Sequence, residues 1–306
     1  MPIKIHDNLP ARELLLDEVV DVINSSSAEK QDIRPLRFLL LNLMPKKLQT
    51  EVQFARLLGA SPLQIELTLM TTETYVPKNT KKEHLIEFYK TLDDIKDNFY
   101  DVLIITGAPV ETVPFEDVKY WKELKEIILW SSTNVFRKIG ICWGAQALLK
   151  VLHNIEKYSM KEKLFGVFDH NLNQEKQYRL MQGFINSLPM PVSRYTENKE
   201  NEIVTSGLEI LAFSKKSGIG MVRCPKTKDL FILNHLEYDA ITLKEEFLRD
   251  KFENIETEIP ENYFPNNDAT KDPINRWRPY AFLLFTNFIN EVYQDVPFDF
   301  VTNNIK

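Results

Sequence analysis

The chain has 306 residues, of which 43% are hydrophobic and 27% are charged, and these fractions are typical of a globular protein with a sizeable core. Two Cys, no C-x-x-C pair and no H-E-x-x-H motif exclude a disulfide scaffold and the common zinc sites, so no metal and a reducing cytoplasm are expected. A net charge of −6 without long basic tracts argues against nucleic acid and anionic membranes as partners, and neither a signal peptide nor a membrane span is expected.

Apolar, β-branched runs predict buried strands at regular intervals along the chain. These runs cover residues 36–43, 63–70, 102–106, 139–142, 208–213, 220–223 and 230–234. Helical apolar spacing lies between the early runs, at residues 50–58, 83–92, 115–131 and 145–153. This alternation predicts an α/β fold, with a three-layer, mainly parallel twisted sheet flanked by helices. Strand signals are denser over residues 182–223, which predicts additional antiparallel strands there.

The last part of the chain contains two amphipathic segments, at residues 242–252 and 279–293, separated by a loop at 260–273 whose aromatic residues are candidates to anchor it. No linker-like composition interrupts the chain, so a single domain is expected. Within it we distinguish an N-terminal arm (about 1–34), an α/β core (about 35–255) and a C-terminal loop and helix (about 256–306).

The strongest local signal is the octapeptide GICWGAQA at residues 140–147, which lies between an apolar strand and an Ala/Leu-rich helix. A strand, a tight turn flanked by glycines and a helix form a nucleophile elbow, here with Cys142 as the nucleophile. The helix N-terminus favours a thiolate and supplies backbone N–H groups for an oxyanion, first that of Trp143. Cys224, in an Arg-Cys-Pro context without a glycine turn, is interpreted as structural.

A thiol nucleophile needs a base, and the chain has five His. His235 follows an apolar strand, and Glu237 lies two residues further, on the same face of an extended segment. Cys142, His235 and Glu237 thus form a complete triad by role. We place His6 in a polar arm and His84 on a charged helix face. His153 is expected near a helix end and His170 in a loop.

These motifs, with others along almost the whole chain, resemble the homoserine O-acyltransferases of the MetA type, whose fold is that of class I glutamine amidotransferases. The matching segments are MPI (1–3), QDIRPL (31–36), NLMPKK (42–47), TGAPVE (106–111), CWGAQA (142–147), EKLFGVF (162–168), SRYTE (193–197), HLEYD (235–239), RD (249–250), NYFP (262–265) and LLFTN (283–287).

The resemblance implies roles at the matching positions. Cys142 would carry the acyl group as a thioester, with His235 as the general base and Glu237 as its partner. Lys163, Ser193 and Arg249 match positions that contact the substrate, and a guanidinium grips a carboxylate bidentately. A lysine of the Lys46–Lys47 pair would lie by the active site and assist the oxyanion together with Trp143.

The resemblance also bears on both substrates. In this family, members with an acidic residue at position 111 use acetyl-CoA as the acyl donor, and members with glycine there use succinyl-CoA. A carboxylate at Glu111 would fill the acyl pocket and repel a succinyl carboxylate. Val192 stands where the family commonly has His before Ser193, and Asn234 and Leu236 flank His235 where many members have Gly and Pro. Because Val192 adjoins a substrate contact, serine is an alternative acceptor to homoserine.

The expected activity is therefore acetyl transfer from acetyl-CoA to L-homoserine for methionine biosynthesis, without a permanently bound cofactor, by a cytoplasmic homodimer. Serine O-acetylation for cysteine biosynthesis and homoserine O-succinylation are the alternatives. Two further candidates are a glutaminase, which shares the Cys and H-x-E elements, and a non-catalytic binding relative. Release of ammonia from glutamine without CoA would identify the first, and an unreactive Cys142 the second.

Overall fold

In the part of the chain that the structure describes, seven strands and their connections build the parallel half of the sheet. They are β1 (Ile3–Lys4), β2 (Val22–Ile23), β3 (Leu36–Leu41), β4 (Ile65–Met70), β5 (Tyr89–Lys90), β6 (Tyr100–Ile105) and β7 (Val135–Ile141). All neighbours in this half run parallel, in the order β2-β1-β4-β3-β6-β7, with β5 paired to β4. Strand β6 is buried along its whole length, because helices cover both faces of the sheet. This explains why the sequence of β6 is an almost continuous apolar run.

The computed structural model describes residues 3–6, 8–17, 22–23, 34–74, 82–173 and 176–297. Residues 1–2 and 31–33 of the family motifs, and the last residues of the C-terminal segment, lie outside this part of the chain.

The helices lie between and after the strands. They are α1 (Ala11–Asp17), α2 (Lys47–Gly59), α3 (Lys82–Phe88), α4 (Leu92–Ile95), α5 (Trp121–Asn134), α6 (Trp143–His153), α7 (Glu200–Thr205), α8 (Thr242–Phe252) and α9 (Arg278–Asp295). Two predicted helices were too long. The helix at 83–92 ends at Phe88, because Tyr89 and Lys90 pair with β4. The helix at 115–131 is a short 3₁₀ turn at Phe115–Asp117 followed by α5.

The second half of the sheet is antiparallel, as the strand signals over residues 182–223 predicted. It consists of β8 (Tyr158–Leu172), β9 (Ser187–Glu197), β10 (Glu209–Ser214), β11 (Gly218–Arg223) and β12 (Leu230–Ile232). Strand β12 lies parallel to β7 and antiparallel to β11, and the order continues β11-β10-β8-β9. Strand β12 thus joins the two halves, and the segment after it, which carries His235, emerges beside the end of β7.

Strand β8 was not predicted, and the assignment of His170 to a loop was wrong. The first half of β8 is partly exposed and carries the charged run Lys161–Lys163, which hides the strand pattern. His170 is fully buried on this strand. Its Nδ1 lies 2.9 Å from the Phe168 carbonyl oxygen, and its Nε2 lies 2.9 Å from Ser217 Oγ and 3.1 Å from Asn234 Nδ2. Burial lowers the pKa of His170 to about 4, so the ring is neutral at physiological pH.

Buried ion pairs attach the C-terminal helix to the sheet. Glu291 of α9 accepts two hydrogen bonds from Arg223 of β11, at 2.8 and 2.9 Å, and one from Arg137 of β7, at 3.3 Å. The three side chains are 2–5% exposed. The loop before this helix is anchored by aromatic residues, since Tyr263 and Phe264 are buried and the Tyr263 hydroxyl binds the Ala240 carbonyl.

No helix among the described residues has the length and apolar character needed to cross a membrane. Likewise, no group of three or more His, Cys, Asp or Glu side chains in the described ranges is arranged to hold a metal ion.

Candidate active site

The turn between β7 and α6 places Cys142 at the carboxyl end of the parallel strands. Cys142 has φ 49° and ψ −117°, which is a strained conformation for a residue other than glycine. Its backbone N–H donates to the Ile232 carbonyl of β12 at 2.7 Å, which holds the turn against the sheet. The sulfur is partly exposed, and the helix starts at the next residue. This is the geometry of a nucleophile elbow.

The glycines of the elbow are required by close packing of the backbone. A Cβ on Gly144 would lie 2.5 Å from the carbonyl oxygens of Ile105 and Thr106 at the end of β6. A Cβ on Gly140 would lie 2.5 Å from Ala145 Cα. Any side chain at either position would push the helix away from the sheet and move Cys142 with it.

His235 and Glu237 complete the constellation. His235 Nδ1 lies 2.7 Å from Glu237 Oε1, and both side chains are buried. Burial by itself lowers the pKa of His235. The negative charges of Cys142 and Glu237, both hydrogen-bonded to the ring, outweigh burial and raise the pKa well above its ordinary value. The ring therefore keeps its proton to a higher pH than a free imidazole does.

A cavity of about 350 Å³ opens over these groups. Cys142 and His235 lie at its base, and Glu111, Lys163, Ser193 and Arg249 line its walls together with Met44, Pro45, Ala108, Pro109, Thr112, Tyr195, Tyr238, Glu246, Asp250, Glu253 and Ile255. The structure thus brings together residues from seven separate segments. They include the three predicted substrate contacts and the predicted acyl-specificity residue.

Asp250 holds the two cations of the cavity. Lys163 Nζ lies 2.6 Å from Asp250 Oδ2, and the Arg249 guanidinium donates twice to Oδ1, at 3.0 and 2.7 Å. Burial raises the pKa of Asp250, but the hydrogen bonds from Lys163 and Arg249 outweigh this effect and lower it. Lys163 is 8% exposed, whereas Arg249 is 55% exposed and so has donors available to a ligand.

Glu111 lies across the cavity from Arg249's helix, against strand β9. Its Oε2 accepts the Tyr195 backbone N–H at 2.9 Å. Burial raises the pKa of Glu111, and the Tyr195 N–H and nearby cations lower it by less. The carboxyl group therefore occupies a fixed position in the wall.

Neither ammonium group of the Lys46–Lys47 pair lines the cavity. Lys46 is exposed and pairs with Glu245 at 2.9 Å. Lys47 is buried in the first turn of α2, where its Nζ binds the Asn42 carbonyl and lies 5.4 Å from the centre of the Tyr89 ring. Burial lowers the pKa of Lys47 to about 8, although Glu51 raises it. The indole of Trp143, the first residue of α6, is buried among Phe115, Tyr120 and Trp121 and does not line the cavity.

Sequence reasoning missed three residues of the site. The Tyr238 ring stacks on His235 with 4.1 Å between the ring centres, and its hydroxyl donates to Glu246 at 2.8 Å. Ser193 Oγ also donates to Glu246, at 2.6 Å. Glu246 and Asp250 lie on one face of α8 with Arg249, and Glu253 follows directly after the helix. These charges are spaced three and four residues apart, and this spacing in the sequence already indicated that they share one face of a helix.

The remaining thiol and imidazoles lie away from the cavity. Cys224 is buried after β11. His84 on α3 contacts Glu51 at 2.8 Å, and His153 is the last residue of α6.

Known proteins resemble the chain along its whole length. A family model described as homoserine O-succinyltransferase matches residues 2–298. A homoserine O-acetyltransferase of Allorhizobium ampelinum is 49% identical over 301 residues, covering 98% of this chain and 97% of the relative. One from Clostridium novyi is 48% identical, covering 98% of this chain and 99% of the relative.

Solved structures resemble the fold at low sequence identity. A glutamine amidotransferase from Thermotoga maritima superposes with a TM-score of 0.56 at 16% identity, covering 85% of this chain and 99% of the other. One from Methylobacillus flagellatus gives 0.52 at 12% identity, covering 85% and 95%. These likenesses confirm the predicted glutamine amidotransferase-like fold. The full-length family match and the close relatives show that the chain belongs to the homoserine O-succinyltransferase family of acyltransferases.

Proposed function

We propose that this enzyme transfers an acetyl group from acetyl-CoA to the side-chain hydroxyl of L-homoserine through an acetyl-Cys142 intermediate. The observation that carries the proposal is the Cys142–His235–Glu237 constellation at the base of the cavity. The full-length similarity to homoserine O-acetyltransferases supports the choice of substrates.

In the first half-reaction the Cys142 thiolate attacks the carbonyl carbon of the thioester. Negative charge develops on the carbonyl oxygen, and the Trp143 N–H at the start of α6 is one donor to it. The second donor is a backbone N–H of the Gly107–Ala108 segment, since Ala108 lines the cavity and a Cβ on Gly107 would lie 3.5 Å from Cys142 Cβ. The bond from carbon to the CoA sulfur then breaks, and the His235 imidazolium protonates the departing thiolate.

Acylation changes the task of His235. The thioester sulfur is neutral, so the charge that raised the pKa of His235 is removed and the ring becomes a base. His235 takes the proton of the homoserine hydroxyl as the oxygen attacks the thioester. The ester forms, Cys142 leaves as a thiolate, and the imidazolium is restored. Glu237 keeps Nδ1 protonated in both halves, so that the other ring nitrogen faces the reaction.

The cavity walls suit an amino acid and a small acyl group. Arg249 and Lys163 offer positive charge to an α-carboxylate, and Ser193 and Glu246 offer polar partners to the rest of the acceptor. The Glu111 carboxylate in the opposite wall repels a donor that carries its own carboxylate, which favours acetyl over succinyl. We also propose that the chain works in the cytoplasm as a homodimer, needs no bound cofactor, and forms one functional domain.

One experiment tests the function directly. Acetyl-CoA and succinyl-CoA are each paired with homoserine and with serine, and CoA release is followed. Efficient turnover of acetyl-CoA with homoserine is expected, and a preference for serine or succinyl-CoA contradicts the assigned acceptor or donor. Intact-protein mass spectrometry after acetyl-CoA treatment should show one acetyl group on the enzyme and none on Cys142→Ser. Absence of the adduct contradicts the covalent route, and ammonia release from glutamine would identify a glutaminase.

A further inference from the structure

Arg194, on β9 between the cavity residues Ser193 and Tyr195, is a buried cation without an ion-pair partner. It is 3% exposed, and its guanidinium donates to two carbonyl oxygens, those of Thr196 at 3.1 Å and of Ser217. Its buried Nε has no hydrogen-bond partner, and within the described ranges it forms no salt bridge. Burial of an unpaired charge is costly, so negative charge elsewhere must offset it.

The other buried arginines differ from Arg194 in this respect. Arg56, Arg137 and Arg223 are equally enclosed, and each pairs with a carboxylate of Asp239, Glu291 or Asp295. Pairing is therefore how this protein ordinarily accommodates a buried guanidinium.

The alternation of side chains along β9 turns Arg194 away from the cavity. Side chains alternate along β9, so Ser193 and Tyr195 face the cavity while Arg194 and Thr196 face the opposite side. Thr196 Oγ1 lies 3.1 Å from Gln146 Oε1 and 3.4 Å from Glu111 Oε2. Gln146 is in the first turn of α6, directly after Cys142. The face of β9 that carries Arg194 thus packs against the elbow helix.

The groups that interact electrostatically with Arg194 come from the elements around it. The negative ones are Cys142 at the elbow, Glu111 in the loop after β6 and Glu197 at the end of β9. Burial lowers the pKa of Arg194, and these charges raise it by less. His170 of β8 also faces Arg194 and is neutral at physiological pH. His235 and Tyr238 also interact electrostatically with Cys142.

We propose that Arg194 is a positioning residue of the acyl-transfer centre, a fixed countercharge behind the site that stabilises the negative charge of the Cys142 sulfur and the Glu111 carboxylate. It touches neither substrate. The inference rests on the proposed function only in that the Cys142 thiolate is used for acyl transfer. Its test measures the reactivity of the Cys142 sulfur and needs no CoA substrate.

The test is the rate of Cys142 alkylation by iodoacetamide between pH 5 and 9. Wild type, Arg194→Met and Arg194→Lys are compared, and peptide mass mapping separates Cys142 from Cys224. Arg194→Met should react on the order of tenfold more slowly near pH 7, with its profile shifted to higher pH, because one positive charge near the sulfur is lost. Arg194→Lys, which keeps the charge, should stay within about threefold of wild type.

Arg223→Met is the matched control, since it removes a buried, paired arginine that does not line the cavity and should leave the alkylation profile unchanged. An Arg194→Met protein with a wild-type profile overturns the proposal, even if its melting temperature falls, because a purely structural role moves stability and not thiol reactivity. If Arg194→Met does not fold, the alkylation profile of Arg194→Gln is compared with that of wild type by the same criterion. An enzyme that shows the alkylation shift but lacks acetyl transfer would contradict the proposed function and leave this inference standing.

Discussion

Replacement of Gly144 by Ala tests whether close contact between α6 and β6 sets the position of Cys142. Cβ atoms essentially never come within 3.0 Å of other heavy atoms, and the new methyl group would lie 2.5 Å from two backbone oxygens, so each must recede by at least ~0.5 Å. Overpacking costs about 1–3 kcal/mol, and we expect the upper end because backbone atoms must move. For 306 residues, with an unfolding entropy of ~2.1 cal/mol/K per residue, that lowers the melting temperature by about 5 °C.

The same shift should slow the chemistry more than it destabilises the fold. A displacement approaching 1 Å at a reacting atom costs roughly 100-fold in rate. Rapid-quench mass spectrometry of acetyl-Cys142 gives the acylation rate, and differential scanning calorimetry gives the melting temperature. Gly207→Ala is the control, since no atom lies within 4 Å of its Cβ and its φ of 74° adds only local strain. If Gly144→Ala matches Gly207→Ala in both measurements, close packing does not position the nucleophile.

Three further predictions concern single charges. Glu237→Gln keeps a hydrogen-bond acceptor for His235 but removes the charge, so pre-steady-state acylation should slow roughly 10²–10⁴-fold. His170 has a pKa of about 4 in the folded protein against an ordinary value of 6.5, so on acidification the unfolded chain binds the extra proton first. The free energy of unfolding from urea titrations should therefore fall by about 3 kcal/mol as pH drops from 6.5 to 4, and by less in His170→Gln. Glu291→Gln leaves two arginines buried without a full counterion and should cost about 3–5 kcal/mol in the same titrations.

Each of these predictions has a contradicting outcome. Unchanged acylation in Glu237→Gln would remove Glu237 from the mechanism. Identical pH dependence of stability in wild type and His170→Gln would mean that His170 does not titrate as a buried neutral ring. For Glu291 the comparison is Glu261→Gln, whose pair with Lys216 is 40–62% exposed and should be worth less than about 1 kcal/mol. Equal effects of the two substitutions would show that the buried ion pairs do not anchor the C-terminal helix.

The parallel half of the sheet was predictable because its strands are buried on both faces and read as uninterrupted apolar runs, as in β6. Strand β8 was not predictable, because its first half is partly exposed and the charged run Lys161–Lys163 interrupts the alternation of buried and exposed residues. Its pairing with β9 is decided by contacts far along the chain, which local composition does not report.

The turn at Cys142 and the contact between His235 and Glu237 were predictable because each is encoded locally, the first by its flanking glycines and the second by the two-residue spacing. The wall opposite Glu111 depends on α8 meeting β9, so Tyr238, Glu246 and Asp250 went unassigned. The lysine pair shows the converse. The family resemblance implied an active-site ammonium in this pair, yet the first turn of α2 directs Lys47 back onto the Asn42 carbonyl.

The cavity draws its reactive groups and its recognition groups from different parts of the chain. The nucleophile and base follow neighbouring strands of the sheet, whereas Glu246, Arg249 and Asp250 belong to the single helix α8, and Glu253 follows it directly. Under the proposed function, substitutions along this helical face alter how the acceptor is bound while the thiol and imidazole keep their places. The acceptor side of the site can therefore change through α8, together with Lys163 of β8 and Ser193 of β9, without a change at Cys142 or His235.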